Sequence, residues 1–176
     1  YSGADYFQTP LGKIPIDKDS NLQIGTHAHV KMVDEAHLFE HSLEVQLPFL
    51  QEVLTDFTLV PLVVGDAEGQ SVSEVIETLW GSDETIFVIS SDLSHYLDYK
   101  TAQEHDARTC HAITSCHPDA LHYDDACGRI PVKGLLLSAK KHDLAIKTLS
   151  MCNSGDTAGD KDRVVGYGAW LLTVKK

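Results

Sequence analysis

The sequence predicts an α/β fold: one domain over residues 1–176 with a mostly parallel central sheet flanked by helices. Three observations carry that prediction. Residues 57–64 (FTLVPLVV) and 85–90 (TIFVIS) are apolar, β-branched runs without alternation, the pattern of strands buried on both faces of a parallel sheet. Between them, residues 71–80 place Val72, Val75, Ile76 and Leu79 on one helical side, with Gly81 at the end. A strand, a helix and a strand within about thirty residues make a right-handed crossover unit.

The chain in order supports this class. Residues 1–16 carry Gly3, Pro10, Gly12 and Pro15 and read as loop with a short extended piece. Asp17 opens a short helix that Gly25 stops. Residues 29–33 form a weak strand, and His27 and His29 share one face if that stretch is extended, as a pair that could hold a metal or, the commoner case, as surface residues. Leu43, Leu47, Leu50 and Leu54 recur at helical spacing, with Pro48 inside the stripe, so the helix kinks or divides into two pieces. Pro61 lacks an amide donor and points to a strand edge or bulge. Residues 100–116 form a polar helix whose His105, Asp106 and His111 read as a solvated face, with Cys110 and Cys116 as small apolar fillers. A helix starts near Ile130–Pro131, since proline is favoured in a first turn. Residues 144–149 are a strand, 152–160 a Gly/Asp/Ser loop that matches no phosphate-binding motif, and 164–174 a long, central, buried strand.

Composition excludes several classes of function. With 43% hydrophobic and 23% charged residues, the 176-residue chain has the makings of a full hydrophobic core. Its net charge of −12 opposes recognition of nucleic acid through phosphates. No apolar run reaches the roughly 20 residues needed to span a bilayer, and no signal-like segment opens the chain. The four cysteines form no CxxC pair, so the expectation is a cytoplasmic protein with reduced thiols. The chain opens on Tyr1 with YSGADYFQTPLG, which carries no start-of-fold signal; a fragment lacking an N-terminal portion is expected.

Chemistry concentrates in three stretches. The run FVIS stops in Ser90-Ser91-Asp92, with His95 three residues after the carboxylate. At the carboxyl end of a strand, where α/β sheets place ligands, an Asp and a His suit acid/base work or metal ligation. A capping Ser/Asp with a surface His is the alternative. Cys127 stands just outside the predicted helix start with Arg129 two residues on; dipole and guanidinium both favour thiolate. His41 lies beside Glu40 at the head of the leucine stripe, as a cap, a surface group or a ligand.

Taken together, EHSLEVQLPFL (40–50), VPLVVGD (60–66), SSDLSHY (90–96), DACGRIPVKGLL (125–136), NSGDTAGD (153–160) and VVGYGA (164–169) resemble the Memo-like family, in particular its prokaryotic branch, AmmeMemoRadiSam system protein B. The resemblance implies a fold similar to the class III extradiol dioxygenases, the LigB-like group that uses non-haem iron(II). It implies a pocket lined by two histidines and a cysteine beside an Asp-x-x-His pair. His41 matches the EHS histidine, Cys127 the CGR cysteine, and Asp92 and His95 the SSDxSH pair. The family's first metal-site histidine lies in a GPSH-like loop upstream of the segment matching YFQTPLG. By this reading the domain lacks its first strand and that loop, and neither His27 nor His29 replaces the ligand.

A His, His, Cys set suits iron or copper, with zinc less favoured, and differs from the 2-His-1-carboxylate triad of oxygenases. Three functions follow. An enzyme would use His95 as general acid/base, Asp92 as its orienter, and His41 with Cys127 for metal or a nucleophile. A non-catalytic module would bind metal, or a small-molecule or peptide ligand, in the same cleft. A relic would keep these residues as a satisfied polar cluster. The resemblance also implies radical-SAM and AMMECR1-like pathway partners.

Overall fold

The computed structural model describes residues 1–81, 84–157 and 159–175. They group into two compact units, Tyr1–Ala67 with Thr78–Ser90 and Glu68–Glu77 with Ser91–Lys176.

The first unit begins with a hairpin, β1 (Tyr6–Thr9) running antiparallel to β2 (Gly12–Pro15). Its connection ends on Gly12, whose φ of 135° lies where side chains are strained. Ile16 then makes a parallel bridge to Leu59, and the Asp17 amide donates to the Leu59 carbonyl at 2.9 Å. Asp17 caps α1 (Lys18–Ile24) as the sequence predicts. Its carboxylate takes the Ser20 amide at 3.0 Å and the Ser20 hydroxyl at 2.8 Å, and these bonds hold it below the usual carboxylate range. α1 ends at Gly25, also as predicted. Residues 42–46 are turns, and α2 (Leu47–Val53) starts so that Pro48 falls in its first turn. The predicted kink is therefore a helix start, where a missing N–H costs nothing.

The strands expected at 57–64, 85–90 and 29–33 are not found as paired strands; Leu59 alone makes a bridge. His27 and His29 lie in turns, with rings 5.4 Å apart. Both sheets are antiparallel, which corrects the mostly parallel architecture while leaving the α/β class. An apolar run reports a tendency to be buried and does not name a backbone partner. Ile86 and Val88 stay 66% and 46% exposed, so even the expected burial is incomplete there.

In the second unit α3 (Gly69–Leu79) buries Val75 and Ile76, as its amphipathic pattern predicts. The sheet has the order β3 (His95–Leu97), β5 (Val164–Val174), β4 (Leu144–Asn153). β5 is central, but it alternates: Val164 and Gly166 are buried while Tyr167 and Leu171 are exposed. α4 (Tyr99–Thr114), capped by Asp98, packs on β4 and β5 and leaves the other residues of each strand open. Ala112, Ile113, Leu121 and Leu136 form the core, with Cys116, Ile146 and Trp170 against it. The filler role of Cys116 holds, and burial pushes its thiol up. α5 (Arg129–Lys141) starts where the proline predicts, and all four cysteines are free. No described helix is long and apolar enough to cross a membrane.

Asp106 departs from its predicted solvated face. It is 3% exposed, and its Oδ1 accepts the Ser94 amide at 3.0 Å. Its carboxylate fills the space beside Gly166, where a Cβ would lie 1.9 Å from Oδ2. Gly166→Ala should therefore destabilise the protein by about 2–3 kcal/mol, read as a lower urea midpoint with an unchanged m-value.

Candidate functional site

The 91–95 loop is built from its backbone outward. Leu93 donates to the Gly166 carbonyl and Gly166 to that of Ser94, each at 2.9 Å, so the loop runs along β5 before β3 begins. Asp106 takes the amide between those two bonds. In β3, His95 pairs with Val165 and Leu97 with Val164, and the irregularity falls on Tyr96, whose φ is 60°. A bulky residue is rarely left-handed; here the bulge turns Tyr96 out to 66% exposure next to His95.

The structure brings Asp92 and His95, paired in the sequence reading, close to one another. The His95 Nε2 lies 3.7 Å from the Asp92 Oδ2, with both side chains partly open to solvent. That distance is an ion-pair approach and longer than a hydrogen bond.

Cys127 joins the same loop. Its amide donates to the Asp92 carbonyl at 3.2 Å, and the Asp92 amide donates to its Sγ at 3.1 Å. Ser91 completes the contact: its hydroxyl donates to the Asp92 carbonyl at 2.7 Å, accepts the Gly128 amide at 2.8 Å and lies 3.6 Å from the sulfur. An exposed thiol is thus pinned at the start of α5 by backbone and hydroxyl groups. Among the described residues, no hydrogen bond joins His95 to Cys127.

Two carboxylates in this unit are positioned by contacts that the sequence did not reveal. Besides Asp106, Asp125 accepts the His122 amide at 2.5 Å and faces the His105 Nε2 at 3.5 Å, two residues before the cysteine. Asp125 stood within the DACGR stretch, but nothing in the spacing pointed to His105 on α4. Ser91 was legible only as one serine of a polar strand end.

His41 belongs to the first unit. Glu40 Oε1 accepts the His41 and Ser42 amides, both at 2.8 Å, and the Ser42 bond leads in holding that carboxyl below its usual range. The His41 side chain is exposed, and its charge adds to the contacts that hold the Glu40 carboxyl low.

A family model described as "Memo-like protein" matches residues 2–171. The chain belongs to the Memo-like family. It is 34% identical to a MEMO1 family protein of Metallosphaera sedula, over 95% of this chain and 64% of that relative. A MEMO1 family protein of Thermoplasma acidophilum is 34% identical over 96% of this chain and 66% of its own length. One from Aquifex aeolicus is likewise 34% identical, over 95% and 66%. The Memo-like chain described here spans about two thirds of the length of the curated relatives it matches.

Ser91→Ala should cost about 1 kcal/mol through the lost Gly128 and Asp92 bonds, read from urea unfolding. Ser91→Thr, which keeps the hydroxyl, should recover most of it.

Proposed function

We propose that the Asp92–His95–Cys127 cluster is the working site of this Memo-like protein. In the whole protein, Cys127 and His41 would be ligands of an iron or copper ion in a pocket similar to that of the class III extradiol dioxygenases. The single observation behind this reading is the exposed Cys127 sulfur, fixed at 3.1 Å from the Asp92 amide on the loop that carries the Asp92–His95 pair. Thiolate and imidazole ligands suit iron, copper or zinc, and iron or copper when bound would supply redox or Lewis-acid chemistry. The described residues alone do not complete a centre around Cys127: it belongs to no set of three His, Cys, Asp or Glu ligand atoms within 4.8 Å.

The roles of the chain's own residues follow from their contacts. Asp92 would orient the His95 imidazole through Nε2, leaving Nδ1 to give or take a proton. Ser91 and the Asp92 amide hold the sulfur in place. A second reading, a non-catalytic module binding metal or a peptide, draws support from the 3.7 Å Asp92–His95 separation, longer than a catalytic hydrogen bond. The substrate of the first reading is a small molecule, and both readings place the protein with radical-SAM and AMMECR1-like partners in the cytoplasm.

Metal analysis of the full-length protein tests the proposal. Near-stoichiometric iron or copper is expected, lost in Cys127→Ala and His41→Ala and kept in His95→Ala. Absence of metal from the unsubstituted protein would sink the metal reading and leave Cys127 as a thiol site.

A further inference from the structure

The second unit places charge around this site in a way that the family resemblance does not address. The chain has a net charge of −12 and only three arginines, Arg108, Arg129 and Arg163. Two of them flank the cluster. Arg129 follows Cys127 by two residues, and its guanidinium sits 4.4 Å above the ring of Tyr123. Arg163 sits 4.9 Å above the ring of Tyr96, whose centroid lies 5.8 Å from that of the His95 imidazole in an edge-to-face arrangement. Among the described residues neither arginine forms an ion pair, whereas Lys18, Lys100, Lys141 and Lys175 each face a carboxylate.

An arginine stacked on an aromatic ring keeps its planar fork free while losing much of its rotamer freedom, so it is prepared for a planar anion. The nearby carboxylates are otherwise engaged: Asp92 faces His95, and Asp125 faces His105 and the His122 amide. The start of α5 has little to offer an anion. The Gly128 amide goes to Ser91, the Arg129 amide to the Ala126 carbonyl, and Pro131 has none. Recognition of charge falls to the two guanidinium groups. The left-handed Tyr96 is the residue on which Arg163 stacks, which gives that strained position a use.

We infer that the site takes a small ligand bearing an oxyanion, carboxylate or phosphate, held by Arg129 and Arg163 beside Cys127 and His95. This deepens the proposed function and rests on it. Cys127 itself can report the charge preference. Its thiolate displaces iodide from iodoacetate, which is anionic, or from iodoacetamide, its neutral counterpart, forming the S–C bond as the C–I bond breaks.

The test uses the full chain after EDTA treatment, with alkylation followed by peptide mass mapping and the exposed Cys152 as internal reference. At low salt the iodoacetate-to-iodoacetamide rate ratio at Cys127 should exceed that at Cys152 by about fivefold, and salt should erase the excess. Arg163→Gln and Arg129→Gln should each lower the ratio at Cys127 and leave the ratio at Cys152 unchanged, with an unaltered urea midpoint as the check on the fold. Equal ratios at the two cysteines, indifferent to both substitutions, overturn the inference while leaving the proposed site intact. A Cys127 inert to both reagents overturns the proposed site as well. At constant ionic strength, stronger protection of Cys127 by acetate assigns a carboxylate and by inorganic phosphate a phosphate; protection by neither rejects the oxyanion.

Discussion

Asp106 enters the interior of the second unit from α4 and takes the Ser94 amide at 3.0 Å, between the two backbone bonds that tie residues 93 and 94 to Gly166. A polar group buried there costs free energy unless it is paired. The pairing therefore fixes the loop as much as the loop satisfies the carboxylate. Gly166 is part of the same constraint, because only a residue without Cβ leaves room for the Asp106 oxygens. Asp92 precedes this anchored pair and His95 follows it, so neither drifts relative to β5.

The cysteine is attached to that anchored loop and not to the sheet. The Cys127 amide's bond to the Asp92 carbonyl and the Asp92 amide's bond to the Cys127 sulfur, with the Ser91 hydroxyl bridging to Gly128, make the start of α5 an extension of the 91–95 loop. The order of dependence runs from Asp106 to Ser94, from the loop to Asp92, and from Asp92 to Cys127. A change at the buried carboxylate is thus felt at the thiol through backbone alone.

Much of the local structure was legible in the sequence because it rests on short-range rules. Asp17 and Gly25 bound α1, Pro131 marks the first turn of α5, and the leucine spacing with Pro48 locates α2. The sheet was misread because continuous apolar character in 57–64 and 85–90 predicts burial, whereas a ladder depends on which backbone lies alongside. Of the site, Asp92, His95 and Cys127 were legible from chemistry and spacing together. Asp106 was not: it shares a helical face with Ala102, Thr109 and Ile113, but a carboxylate in a helix so rich in charge reads as solvated, and its packing beside a glycine of β5 is what holds it inside. Ser91 was equally hidden: a hydroxyl that links two loops leaves no periodicity to read.

Asp92 serves the site twice, by different atoms. Its amide meets the sulfur, and its carboxylate meets the imidazole. This division keeps thiol and imidazole apart, since a residue that stands between them cannot also let them share a proton. A directly coupled nucleophile–base pair needs hydrogen-bond contact between the two side chains; in the proposed site the two groups would address a ligand at separate atoms. The stacked arginines suit that arrangement, because a ligand fixed by its charge at one end presents its other atoms to sulfur and imidazole in a set order.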